Sequence, residues 1–129
     1  MSPAVGRRAG RRQALFLLYQ WDLTGQPLAS LFEGEPDEFA ASLARSVADR
    51  APELDLRITE TSSEWPADRL GTLERNVLRI GVYELEEGTV PPEVAINEAV
   101  VLAKRYATDE AAKLVNGILG RIARDEEAA

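Results

Sequence analysis

Four arginines crowd one short run, Arg7-Arg8-Ala9-Gly10-Arg11-Arg12, with no carboxylate in the neighbouring sequence to neutralise them. On a helix, Arg7 and Arg11 stand four residues apart, as do Arg8 and Arg12, so two cationic ridges lie side by side. A guanidinium offers a planar fork that matches phosphate and a flat face that stacks on bases. The chemistry on offer is recognition of a nucleic-acid strand. The same residues also make an ordinary solvated N-terminus. Gly10 lowers helix stability by about 1 kcal/mol relative to Ala, which suits an arm that orders on binding.

Other polar groups are less specific. Glu33, Glu35, Asp37 and Glu38 cluster, as do Glu84, Glu86 and Glu87, but none has the spacing of a cation-wrapping loop and no glycine-rich phosphate loop is present. They read as solvated faces, able to complement a basic protein partner. Asn97-Glu98 and Asn116-Gly117 fall inside apolar helical windows. Buried amides must be hydrogen-bonded, so Asn97 and Asn116 are expected at helix crossings, with Gly117 letting two helices approach closely.

Two absences narrow the chemistry. With no Cys, the chain has no disulfide, zinc-finger or thiol-nucleophile chemistry. With no His, it lacks the usual general base near neutral pH and the commonest metal ligand. We expect no catalytic residue, no metal site and no cofactor. The net charge of −7 argues against a uniformly basic nucleic-acid binder. The balance is uneven, however. Residues 1–21 carry four Arg and no acid, whereas the remainder carries 11 basic and 22 acidic side chains.

These residues must be positioned by helices. A chain of 129 residues with 45% apolar content fits one globular domain, and apolar residues recur at helical spacing nearly throughout. The segment from Arg11 to Thr24 carries Ala14, Leu15, Leu18 and Trp21 on one stripe, and Gly25 stops it. Asp37 to Arg50 carries Phe39, Leu43, Val47 and Ala48, and a further helix restarts around Pro52 and runs through Ile58. Leu70, Leu73, Val77, Ile80 and Leu85 line a helix that stops at Gly88. Pro91-Pro92 opens another, with Ile96, Val100, Ala103 and Ala107 inward, and Thr108 caps a last helix burying Leu114, Val115, Ile118, Leu119 and Ile122. The reading is all-α, with a basic arm at 1–10, a helical domain over 11–123 and a polar tail at 124–129. No apolar run spans a bilayer. The apolar stretch after Arg7-Arg8 is too short for a secretion signal, so a cytoplasmic location is expected.

The helices carry recognisable text. The run from Leu73 to Leu85, LERNVLRIGVYEL, resembles the signature helix of the NusB family. VPPEVAINEAVVLAKRYA (Val90 to Ala107), KLVNGILGRIA (Lys113 to Ala123) and the Arg-rich start followed by ALFLLYQWDL are similar to that family as well.

The resemblance implies about seven helices in two helical subdomains and a non-enzymatic role in transcription antitermination. Members bind the single-stranded boxA element of ribosomal RNA operons with the small-subunit ribosomal protein NusE, and join RNA polymerase and other Nus factors. Residue by residue, it assigns Arg7, Arg8, Arg11 and Arg12 to RNA contacts. Tyr106 matches a base-stacking aromatic, Glu110 an RNA-proximal acid, and Lys113 lies one turn further on. Tyr19 and Glu74 match positions tied to partner or RNA binding. Two other readings stay open: a helical protein-interaction module that forms a homodimer, and a methyltransferase-associated domain without RNA affinity of its own.

Overall fold

The computed structural model describes residues 3–62 and 64–128, which hold six α-helices and no strand. The helices are α1 (Pro3–Thr24), α2 (Glu38–Asp49), α3 (Ala51–Thr61), α4 (Thr72–Glu87), α5 (Pro92–Tyr106) and α6 (Asp109–Ala128). Between α1 and α2, Leu28–Leu31 closes only a 3₁₀ turn. Gly25, Pro27, Gly34 and Pro36 confine it to a span too short for another helix. The count is therefore six α-helices where the resemblance implied about seven. They divide into two compact units, residues 1–50 and 51–129.

Their ends follow local chemistry. Pro3 sits in the first turn of α1, where a missing N–H costs nothing, and the helix starts eight residues before the Arg11 start expected from periodicity. Gly25 terminates it in the left-handed region at φ 73°, its N–H bonded to the Trp21 carbonyl at 3.0 Å. The Asp37 carboxylate caps α2 by accepting from the Ala40 N–H at 2.9 Å. The Thr108 hydroxyl does the same for α6, accepting from Ala111 at 2.9 Å. Asp109 and Glu110 then sit in the positive first turn of that helix.

In the first unit α1 packs on α2. Leu15 and Leu18 are fully buried, as are Ala44 and Val47. Gly10 has a packing role: a Cβ there would collide with the Phe39 ring. In the second unit α4, α5 and α6 pack on one another, with α3 against α4 and α6. Leu54, Ile58, Val77, Leu78, Val115 and Leu119 form its dry centre. Gly81 marks the closest approach, since a Cβ there would lie 2.5 Å from Leu119 Cδ1.

Two expectations fail here. The buried face of α5 is Ala95, Ala99, Leu102 and Ala103, so of the stripe expected only Ala103 is buried, while Ile96, Val100 and Ala107 are half-buried. The helix meets both α4 and α6, and small side chains let neighbours approach, so size is a poor guide to depth. Asn97 and Asn116 are exposed rather than buried at crossings, and nothing lies within 4 Å of a Cβ at Gly117.

Candidate nucleic-acid interface

The arginine run lies within α1, on the first unit. Its two ridges part company. Arg7 and Arg11 both lean over one ring, their guanidinium carbons 5.2 and 5.7 Å from the Phe39 centroid. Such contacts contribute roughly 0.5–1 kcal/mol each at exposed positions. Arg11 is only 4% exposed, so it acts as a packing group that fixes the direction of the ridge. Arg7 and Arg8 remain exposed and Arg12 is half-buried. The ordered helix thus holds a cationic end whose outward members are Arg7 and Arg8.

Further along α1, Tyr19 is exposed, with Phe16 42% and Leu23 60% exposed beside it at helical spacing. Next to this strip, Gln13, Phe16, Gln20, Phe32, Glu33 and Glu35 line an open groove of about 460 Å³. Its lining combines the Phe16 and Phe32 rings with acidic side chains. This character suits a basic protein segment with an apolar anchor.

On the second unit, Tyr106 ends α5 and is half-buried, with the Arg105 guanidinium 5.4 Å from its ring centroid. Glu110 in the first turn of α6 and Lys113 one turn on are both exposed. The sequence reading missed Arg105, whose signal was a cation directly beside an aromatic. The guanidinium lies over the ring, so the end of α5 sets a cation against an aromatic face. Glu74 is placed differently. It is half-buried in the first turn of α4, and its carboxylate folds back over Gly71, the residue that begins that helix. That is the position from which an acid supports a helix start.

The signature helix proves to be a buried polar network. Arg79 Nε donates to Asp55 Oδ1 at 2.7 Å and Arg79 Nη2 to Asp55 Oδ2 at 2.6 Å. A third donor, Nη1, reaches Asn76 Oδ1 at 3.0 Å, and the Asn76 amide donates to the Thr72 carbonyl at 2.8 Å. Nearby, Arg57 bonds Glu86 at 3.0 Å and Glu126 at 2.8 Å, joining α3 to α4 and α6. Burial works to lower the Arg57 pKa, but the carboxylates of Glu126 and Glu86 outweigh it and hold the guanidinium above its ordinary value. Among the described residues no buried side-chain nitrogen or oxygen lacks a partner. Nor does any group of three or more acids stand ready for a metal ion, and no helix is long and apolar enough to cross a membrane.

The sequence pattern of the NusB family matches residues 8–124. A transcription antitermination protein NusB from Rubrobacter xylanophilus is 40% identical over 122 residues, covering 89% of this chain and 88% of its own. A chain in a crystal structure of antitermination factors NusB and NusE with double-stranded RNA superposes with a TM-score of 0.82 at 34% identity, covering 93% of this chain and 97% of that one. NusB of T. maritima superposes with a TM-score of 0.81 at 32% identity over 97% and 93% of the two chains. This chain belongs to the NusB family, a family of transcription antitermination factors and not of enzymes.

Proposed function

We propose that this protein is a cytoplasmic, RNA-binding antitermination factor. It binds boxA-type single-stranded RNA of ribosomal RNA operons together with the small-subunit ribosomal protein NusE. The complex then joins RNA polymerase and other Nus factors. The observation that carries the reading is the cationic end of α1, with Arg7 and Arg8 exposed on a chain whose net charge is −7. The second unit adds Tyr106 as a stacking surface, with Arg105 next to it in sequence and Lys113 on α6 as hydrogen-bond donors to phosphate, and Glu110 as an acceptor for base amino groups. Arg11 supports Arg7 through Phe39. Tyr19 and the acid-lined groove of the first unit offer NusE a surface of opposite charge, and Glu74 serves α4 first.

A handful of phosphate contacts gives modest, salt-sensitive affinity, so a protein partner is needed for tight binding. The test is fluorescence anisotropy of a labelled boxA-like single strand, with and without NusE, over a salt series. Binding that strengthens with NusE and weakens with salt is expected. A parallel duplex of the same sequence binds more weakly on this reading. Equal binding of an unrelated single strand would remove boxA from it, and no binding in any condition would remove RNA altogether.

A further inference from the structure

Gly117 in α6 is a glycine that packing does not account for. A glycine in a helix interior is destabilising relative to alanine, and at two other helical positions packing explains it. Gly10 admits Phe39 and Gly81 admits Leu119. At Gly117 a Cβ would meet nothing within 4 Å, and the residue is exposed. Asn116 beside it is exposed as well, so neither half of this Asn-Gly pair serves a helix crossing.

Its surroundings are cationic. Lys113 lies one turn before Gly117 and Arg121 one turn after, and both are exposed. The glycine therefore leaves a gap in a ridge of positive charge. Two shallow grooves meet at Lys113. The one along α5 and α6, of about 510 Å³, is lined by Val100, Lys104, Asp109, Lys113 and Asn116. The other, of about 270 Å³, is lined by Thr61, Ser62, Lys113, Gly117 and Arg121. Arg121 donates to the Thr61 carbonyl at 3.4 Å, which steadies an otherwise exposed guanidinium.

We infer that these joined grooves form a track for the sugar–phosphate backbone of a single strand, running from Lys104 past Lys113 to Arg121. The inference rests on the RNA-binding reading and adds residues to it. Lys104, Lys113 and Arg121 face phosphates. Gly117 lets the strand settle against the helix backbone, one of the uses for which glycine is suited. Asn116 presents both a donor and an acceptor to a base edge. Asp109 sits at the head of the track, where a phosphate is disfavoured and a base amino group is the fitting neighbour.

The experiment compares four proteins with one fluorescein-labelled boxA-like single-stranded RNA over a salt series: wild type, the Lys104→Ala/Arg121→Ala double variant, Gly117→Leu, and Arg7→Ala/Arg8→Ala as reference. Each lost phosphate contact lowers the slope of log K against log salt by about 0.7, so the track double variant should lose about 1.4. Gly117→Leu puts a good helix former at an exposed site. It should melt no lower than wild type yet bind the RNA at least severalfold more weakly. A double variant with wild-type affinity and slope overturns the track, while a fall in the Arg7/Arg8 variant alone leaves the antitermination reading standing. Wild type that fails to bind the strand overturns both.

Discussion

Arg79 and Asp55 meet through two parallel hydrogen bonds of 2.7 and 2.6 Å, joining α4 to α3 across 24 residues of sequence. The fork-to-fork geometry is the strongest form of ion pair available to a protein. Arg79 is buried, whereas Asp55 keeps partial contact with water. Removing the carboxylate leaves a desolvated guanidinium short of the two bonds that Asp55 accepted. Asp55→Ala should therefore cost about 3 kcal/mol, read as a lowered urea midpoint with an unchanged slope. A loss below about 0.5 kcal/mol would place the pair among ordinary surface bridges. RNA affinity per folded molecule should stay at the wild-type level.

That pair also marks the limit of what was legible beforehand. The helices α1, α4 and α6 were visible because Leu15, Leu18, Val77, Ile80, Val115 and Leu119 recur at helical spacing and are buried. The caps at Gly25, Gly88 and Thr108 were visible because glycine and threonine do there what few residues can. Arg79 was visible only as one residue of the signature run, and nothing local names its partner on another helix. On α5 the larger side chains, Ile96 and Val100, drew the prediction, but alanines lie deepest. Of the candidate site, the Arg7 and Arg8 positions and Tyr106 were legible as residue types. That Arg11 would turn inward over Phe39 was not, because Phe39 lies on a different helix.

The four arginines should separate into two classes. Arg7→Ala/Arg8→Ala removes exposed charge and should leave the melting temperature within a few degrees of wild type. It should flatten the salt dependence of RNA binding by about 1.4 in log–log slope, two single-strand contacts' worth. Arg11→Ala strips a buried stem and a cation–π contact, so it should lower stability by about 1–2 kcal/mol. Its effect on RNA should be smaller than that of the exposed pair. Reversal of this order, with Arg11 governing binding and Arg7/Arg8 silent, would contradict the geometry.

Matched glycine substitutions probe packing directly. Gly10→Ala drives a methyl into the Phe39 ring and should destabilise by about 1–3 kcal/mol, the usual cost of overpacking. Gly117→Ala, in open space on α6, should instead stabilise by about 0.5–1 kcal/mol through helix propensity. Thermal denaturation of the two variants side by side decides the matter. Equal shifts of the same sign would mean that Gly10 is not a contact point between α1 and α2.

Tyr106 supplies the last test. Its ring closes α5 beside Arg105, and a base stacked on such a ring is worth about 1–3 kcal/mol. Tyr106→Ala should weaken boxA-like RNA binding by roughly ten- to a hundredfold, while Tyr106→Phe, which keeps the face and loses only the hydroxyl, should bind nearly as wild type. The contrast separates stacking from hydrogen bonding, because a hydroxyl contact would make the two variants equally weak. Stacking also leaves the salt slope untouched, since no phosphate contact is lost. A change in slope on Tyr106→Ala would mean that the ring acts by holding Arg105 against the strand, and Arg105→Ala would then reproduce it.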